Sequence, residues 1–328
     1  MVILTDQGGN ELRVLRFKKF DCDLNGSKDF EIRIPTGIFK GINDNGRIFV
    51  PGTEYGGMIG GIKTETATDE VILIGRSWRG ILSKKIIRPP SGQDYKIVSG
   101  DINTIIAGLF EEQEIGNLFV VSGDAGVNIT NYQFERYIDL LSGITKMLKS
   151  VSYKLNLTYK QREQGLPGYV EATTSPIVDL SNETELSQDM RLNFTFNDVK
   201  NGVNHLICLG QGELQERIVV DLYIQEDGTV GATKVYTGLN EVSEVYEDTS
   251  AENEQALTER GTERLLELAS YQSFNMNIEA LSLNVNIGDI IGGRDYITGL
   301  SMSKPVINKI YVEENGVSKV EYAIEGEQ

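Results

Sequence analysis

EVILIGRSWRGILSKKIIRPP, residues 70–90, carries a strand, a capped turn and a stop in close succession. Val71 to Ile74 is a short apolar run of strand character, and Gly75 is expected to end it. Ser77 has the side chain to cap a short helical turn. The only tryptophan of the chain, Trp78, falls inside that turn. Ile86 and Ile87 are expected to resume a strand, and Pro89-Pro90 halts regular structure. A β-rich segment therefore closes on one large aromatic, and a different kind of sequence follows. No side chain in the stretch is suited to catalysis, and the same holds for most of the chain: its residues describe a scaffold better than an activity.

Upstream, residues 1–90 read as β. Phe30, Ile32 and Ile34 alternate with Glu31 and Arg33, the period-two signature of a half-buried strand. Asp21 to Asp29 and Asn43-Asp44-Asn45-Gly46 are turn-rich connectors. Gly56-Gly57 and Gly60-Gly61 flank Met58 and Ile59, and paired glycines in a strand permit a sharp bend or a close backbone approach. The expectation is a small closed or nearly closed antiparallel barrel.

Downstream, residues 91–189 read as a smaller α+β domain. Asp101 is placed to cap a helix bearing Ile102, Ile105, Ile106, Leu109 and Phe110. A second helix, with Asn131 as its cap, would set Phe134, Tyr137, Ile138, Leu141, Ile144 and Leu148 on one face. Lys146 and Lys149 lie in its last turn, where cations suit the helix dipole. Val151, Tyr153, Leu155, Leu157 and Tyr159 alternate as a strand. Gln164 to Gly168 turns the chain, and Tyr169 to Ala172 is expected to pair back. Residues 190–328 return to β and are expected to form a second barrel with a flanking helix over 250–269. Met190, Leu192, Phe194 and Phe196 alternate. Val203–Leu209, Arg217–Tyr223, Ser273–Val285, Asp289–Arg294, Met302–Val312 and Val317–Ile324 read as strands, with Glu314-Asn315-Gly316 as a hairpin turn. Thr249-x-x-Glu252 resembles a capping box for the helix, whose apolar face holds Leu257, Gly261, Leu265 and Leu268.

The totals exclude several classes. With 48 acidic and 31 basic residues the formal charge is −17, which opposes nucleic-acid binding by counterion release and adhesion to an anionic membrane. It would also repel a polyanion passing nearby. Two cysteines in 328 residues, Cys22 and Cys208, make no disulfide framework. The start, MVILTDQGG, has no basic n-region and too short an apolar run for a signal peptide. Synthesis in a cytoplasm without export by such a signal is the expectation.

Asp21-x-Asp23-x-Asn25-Gly26 matches the first half of a calcium loop, but position twelve is Ile32 and the flanks read as strands. A turn between strands is the simpler reading, and calcium at Asp21–Asn25 stays open. His205, the single histidine, lies on a strand with Cys208 on the opposite face, so neither a triad nor a zinc site is expected there. Glu111-Glu112 with Glu114, and Glu247-Asp248, are carboxylate pairs, but 48 acids do not single out a hydrolytic pair. Gly210-Gln211-Gly212 reads as a hairpin and not as a nucleotide loop. Arg76, Arg79, Lys84, Lys85 and Arg88 form the one basic cluster, either pairing with acids of a neighbouring subunit or lying on a solvated face. No catalytic, cofactor-binding or metal residue is assigned.

Residues 75–90, GRSWRGILSKKIIRPP, resemble a segment of the tail-hub (baseplate-hub) proteins of siphophages and prophages. Val203-Asn204-His205-Leu206-Ile207, Gly210-x-Gly212 and Arg217-Ile218-Val219-Val220 resemble the family's second barrel. Gly288 to Asp295 with Thr298-Gly299-Leu300 resembles its closing strands. The resemblance implies a mainly β fold in which two tail-tube-like antiparallel β-barrels, 1–90 and 190–328, are separated by the α+β domain 91–189. It implies a homotrimer whose six barrels adapt a six-fold tail tube to a three-fold tip. It also implies as partners the tail tube or a distal tail protein, and a tip, spike or tape-measure protein. DNA would pass through the channel without specific binding, and no membrane or cofactor is implied. The location would be a virion tail assembled in the bacterial cytoplasm. A chain stopping at Gln328 is expected to lack the hydrolase or receptor-binding extension of some hubs. Two other readings stay open: a tail-tip cell-wall hydrolase, and a receptor- or carbohydrate-binding tail protein using Tyr153, Tyr159 and Tyr169.

Overall fold

The structure is a computed structural model that describes residues 1–25, 29–39, 45–162, 166–181, 185–187, 193–277, 285–294, 297–299 and 301–324. Contact clustering divides the chain into two compact units. One holds Met1–Phe194 and the segment beginning at Asn275, and the other holds Thr195–Phe274.

In the first unit, seven strands precede Trp78: β1 (Val2–Thr5), β2 (Glu11–Leu15), β3 (Lys19–Asp23), β4 (Phe30–Pro35), β5 (Arg47–Phe49), β6 (Gly56–Glu65) and β7 (Glu70–Ser77). Their order across the sheet is β3-β4-β7-β6-β5-β1-β2. Every second side chain turns inward, so Phe20, Cys22, Phe30, Ile32, Ile34, Ile48, Val71, Leu73, Val2, Leu4 and Leu15 share one core. Strands from both ends of that order meet in a single core, so the sheet is rolled and not flat. The strand does not end at Gly75. β7 runs on to Ser77 because both its edges are paired, Gly75 facing Phe30 on β4 and Ile59 on β6. Glycine is required there: a Cβ on Gly75 would collide with the Met58 carbonyl oxygen and the Phe30 ring, and one on Gly57 with the Arg76 carbonyl and the same ring.

Ser77 caps α1 (Trp78–Leu82) as expected, its Oγ accepting from the Gly80 amide at 3.0 Å. Trp78 is fully buried and stacks on Tyr159 with centroids 5.2 Å apart, while Phe49 lies 4.2 Å from Tyr159 on centroids. No strand resumes at Ile86-Ile87. Ile86 makes a single bridge to Asp139, and the Ile87 amide donates to the Ile138 carbonyl at 2.9 Å.

The second core of this unit is built from β8 (Ile97–Asp101), α2 (Ile102–Glu112), β9 (Phe119–Val121), β10 (Asn128–Gln133), α3 (Leu140–Lys149), β11 (Tyr153–Lys160) and β12 (Tyr169–Pro176), packed around Trp78. Asp101 caps α2, accepting from the Asn103 amide at 2.9 Å and also from Ala125 at 3.0 Å and Val127 at 3.2 Å. Burial pushes its pKa up, but these donors outweigh that and hold the carboxyl below its ordinary value. The helix expected from Asn131 begins only at Leu140, capped by Asp139, whose Oδ1 accepts from the Ser142 amide at 3.0 Å. Residues 128–133 are drawn into pairing with β8. Asn131 takes a positive φ of 51° at the irregularity between Ile129 and Tyr132. Leu141, Ile144 and Leu148 are buried as predicted, with Lys146 and Lys149 in the last turn. β11 and β12 pair in the expected hairpin, Leu157 opposite Ala172.

β13 (Glu185–Ser187) and β14 (Asn193–Val199) follow, and the chain then builds the second unit. Its strands β15 (His205–Leu209), β16 (Val219–Ile224), β17 (Val230–Gly231) and β18 (Ser243–Glu247) form a sheet of order β17-β16-β15-β18, with α4 (Glu254–Leu268) on one face. The helix expected over 250–269 packs on this four-stranded sheet. It covers Leu206, Cys208 and Leu222 with Leu257 and Leu265. Gly261 permits the approach, since a Cβ there would meet Cys208 Sγ at 2.5 Å. Thr249 does not open the helix. Asn253 caps it, accepting from Ala256 at 2.9 Å, while Asp248 draws Ser250 into a turn at 2.6 Å and pairs with Arg260 at 2.6 Å.

The Ser250 hydroxyl and the Arg260 guanidinium lower the Asp248 pKa from 3.8 to about 2. A carboxyl depressed in the folded state contributes stability that is present above its unfolded value and is lost as pH falls through its folded value. Acid titration followed by far-ultraviolet circular dichroism is therefore expected to show second-unit helix loss between about pH 4 and pH 2, and Asp248→Asn to flatten that limb.

The chain returns through β19 (Tyr271–Asn277), β20 (Ile290–Arg294), β21 (Ser301–Glu314) and β22 (Val317–Ile324). Within the 190–328 stretch, Thr195–Phe274 is set apart as its own unit. The Glu314-Asn315-Gly316 turn forms as expected, with φ of 52° at Asn315 and 80° at Gly316. β21 pairs with β20 along its first part, and with both β22 and β3 along its second, Ile310 opposite Asp23 and Glu314 opposite Lys19. First and last strands thereby belong to one thirteen-stranded sheet. The expected strand residues Met190 and Leu192, the 278–284 part of Ser273–Val285, and the turn residues Gly26, Asn43, Asp44, Gln164 and Gly165 lie outside the described residues.

Candidate functional site

The outer face of this sheet is an extensive polar surface built by regular structure. Alternation turns Lys19, Asp21 and Asp23 of β3 outward, opposite Phe20 and Cys22. Register then sets them in cross-strand rows: Glu314, Lys19, Arg33, Ile72 and Lys63 in one, and Lys319, Val312, Asp21, Glu31 and Ile74 in the next. Ion pairs lace the rows: Lys19–Asp21 at 2.9 Å, Arg33–Glu31 at 2.8 Å, Arg33–Glu70 at 3.3 Å, Lys63–Glu65 at 2.6 Å and Lys319–Glu321 at 2.7 Å. Lys18, 2.8 Å from Glu70, is the main cause holding that carboxyl below its usual value. Acids outnumber bases on this face, and each base in the rows is already held by an acid. A passing polyanion meets no cation available to trade for its counterions.

One end of the sheet is open. Among the described residues β2 pairs only with β1, and its exposed side chains include Leu12 at 53% and Val14 at 55%. An edge strand with apolar side chains in solvent is a ready surface for another chain.

Behind the sheet lie two buried ion pairs that sequence reading missed. Lys154 of β11 pairs with Asp289, whose carboxylate also accepts from the Val178 and Asn286 amides, each at 2.9 Å. Arg79 pairs with Glu54 at 2.5 Å and donates to the Leu155 carbonyl at 2.9 Å. Lys309, its pKa lowered by burial, donates to the Val285 carbonyl at 2.9 Å. Nothing in the local pattern marks Lys154, which sits in a strand where every neighbour of its parity is polar.

The sequence candidates are scattered. Arg79 leaves the basic cluster for the interior, whereas Arg76, Lys84 and Arg88 are exposed. Asp23 accepts from Asn308 Nδ2 at 2.7 Å, and Asn25 donates to the Ile307 carbonyl at 2.9 Å, so the Asp21–Asn25 segment is tied to the strand before β22. Among the described residues no group of His, Cys, Asp or Glu side chains is arranged to hold a metal. His205 lies between Glu241 on Nδ1 and Asp221 on Nε2, both at 2.7 Å, on the face opposite the buried Cys208. Glu112 pairs with Lys96 at 2.5 Å. Glu247 pairs with Arg217 and Asp248 with Arg260, which separates their roles. Of the three tyrosines, Tyr159 is buried under Trp78, Arg162 covers Tyr169 at 4.5 Å, and Tyr153 is half-buried at a cavity it lines with Leu155 and Pro305. Among the described residues no helix is long and apolar enough to cross a membrane.

No protein-family model and no curated protein sequence matches the chain. Solved structures do. A tail protein from Neisseria meningitidis MC58 aligns over 98% of this chain and 96% of its own, at TM-score 0.50 and 13% identity. The 43 kDa tail protein of prophage MuSo2 from Shewanella oneidensis aligns over 98% and 97%, at TM-score 0.52 and 12% identity. A chain of the p2 virion baseplate in its activated conformation aligns over 100% and 99%, at TM-score 0.51 and 8% identity. Coverage of this extent, with strands from both ends of the chain in one sheet, gives the protein the mainly β fold of phage and prophage tail proteins and of a virion baseplate chain.

Proposed function

We propose that the protein is a structural component of a phage tail or phage-tail-like particle, and within it the hub. Three copies ring a central channel and adapt the six-fold tail tube to a three-fold tip. The observation that carries this reading is the single sheet formed from the first and last strands, with its paired, net acidic outer face. Turned toward a channel, such a face lets DNA or a tape-measure protein slide without sticking. In this reading the strands before Trp78 and the returning strands β19–β22 play the part of two tube-like barrels, with residues 91–189 as the domain between them. The neighbours are the tail tube or distal tail protein on one side and the tip or spike on the other. The role is architectural, without catalysis, cofactor, metal or membrane contact, in a virion tail assembled in the bacterial cytoplasm.

The ring closes through heterologous contacts in which the β2 edge of one copy meets the next copy. Light scattering and electron microscopy of the purified chain, alone and with its tail-tube partner, are expected to show three-fold rings. Val14→Lys would bury an ammonium without a partner at each contact and is expected to weaken ring formation by roughly a hundredfold. Persistent monomers of the unaltered chain with the partner present would sink the hub reading.

A further inference from the structure

We infer that the second unit carries a docking site for a cationic, strand-forming segment of another protein, built on the free edge of β18 and the uncovered face of its sheet. The inference stands on this unit alone and does not depend on the hub reading. α4 covers the face bearing Leu206, Cys208 and Leu222. The opposite face carries three cross-strand rows: Tyr223, His205 and Ser243; Asp221, Ile207 and Val245; Val219, Leu209 and Glu247. Among the described residues none packs over its aliphatic centre, where Val245 is 57% and Val219 48% exposed.

β18 ends the sheet, paired only with β15 and parallel to it. The Asp248 amide donates to the Leu209 carbonyl at 2.9 Å. That bond fixes the alternation: Glu244 and Tyr246 turn their peptide groups toward β15, and Ser243, Val245 and Glu247 turn theirs outward. The devices that normally blunt an edge, a lysine, a proline or a bulge, are absent from Ser243–Glu247. An added strand would gain backbone hydrogen bonds from those residues and apolar contact with Val245, the mode of strand addition.

Charge decides the occupant. Thr195–Phe274 holds fifteen acids and five bases. Asp221, Glu241, Glu244 and Glu247 border the edge and face. Lys234 pairs with Glu241 at 2.7 Å and Arg217 with Glu247, so among the described residues Asp221 and Glu244 are the rim acids without a lysine or arginine partner. A second copy pairing β18 with β18 would oppose like charges across the new ladder. A segment alternating basic and branched aliphatic residues matches both the rim and the centre.

The test uses the full chain and a labelled, end-capped seven-residue peptide alternating lysine and valine, read by fluorescence polarisation. Its controls are the glutamate–valine counterpart and a lysine–valine peptide N-methylated along one edge. The lysine–valine peptide is expected to bind with a micromolar dissociation constant and the glutamate–valine peptide not to bind. N-methylation and Val245→Pro are each expected to weaken binding about tenfold or more. The Val245 amide points away from β15, so proline there removes an unused donor. If that variant nevertheless loses its circular dichroism spectrum, the N-methylated peptide against the unaltered chain decides alone. Failure of the lysine–valine peptide to bind would overturn the inference. So would binding indifferent to N-methylation, which would mean charge adhesion only. A Val245→Pro change in oligomeric state with peptide binding untouched would assign the edge to a second copy and overturn it equally.

Discussion

Asp289→Ala is expected to destabilise the first unit by about 3–5 kcal/mol, the cost of leaving a buried charge without its partner. Lys154 and Asp289 are both almost wholly buried, their side chains 6% and 3% exposed. Asp289 also satisfies the amides of Val178 and Asn286. Alanine would orphan an ammonium and two N–H donors together, in a region where burial already lowers the Lys309 pKa and where the Asp289 charge opposes that lowering. Chemical denaturation followed by the fluorescence of Trp78, the single tryptophan and a residue of this unit's core, reports the loss directly. The double variant Lys154→Met with Asp289→Leu is expected to recover most of it, because an apolar pair of similar volume carries no desolvation penalty. A single variant within about 1 kcal/mol of the unaltered protein would show that the pair is solvated in solution.

Gly75→Val has a comparable effect by another route. The Phe30 ring lies over Gly57 and Gly75, and any Cβ at Gly75 would drive into that ring and into the Met58 carbonyl oxygen. The second obstacle is backbone in a paired strand, so no rotamer change relieves it. Loss of about 3 kcal/mol or more, or failure to fold, is the expected outcome. Gly60→Ala serves as the contrast: nothing lies within 4 Å of a Cβ there, and a change within about 0.5 kcal/mol is expected. Equal unfolding midpoints for Gly75→Val and the unaltered chain would refute the account of why β7 carries a glycine.

What was legible in the sequence was local. The Ser77 cap, the Asp101 cap and the 153–176 hairpin depend on residues close together in the chain, and all appear in the structure. The two helix starts read wrongly fail for one reason. Asn131 and Thr249 are competent caps, but β8 captures the segment around one and Asp248 the turn around the other. β8 lies about thirty residues before Asn131, whereas Asp248 immediately precedes Thr249 and takes its second neighbour, Ser250, into a turn that the capping pattern does not weigh. Separation of Thr195–Phe274 as its own unit was hidden because its strands alternate like those of the sheet before and after it. For the candidate site, only the outward charges of β4 were readable as a polar strand face; Asp21 to Asp23, expected in a turn-rich connector, lie in β3. Their assembly into a surface with β21 and β22 depends on Lys19–Asp23 meeting Ile310–Glu314, a pairing no local period encodes.

That pairing also sets a timetable for the nascent chain. β3 leaves the ribosome early, yet the strand that seals its edge is among the last to be made. At roughly 5–20 residues per second, tens of seconds pass between the two. During that wait an open strand border stands beside a nearly finished core, exposed to any β-prone neighbour on the same polysome. Yield of this protein should therefore respond to elongation rate and to chaperone supply more than its equilibrium stability alone would suggest.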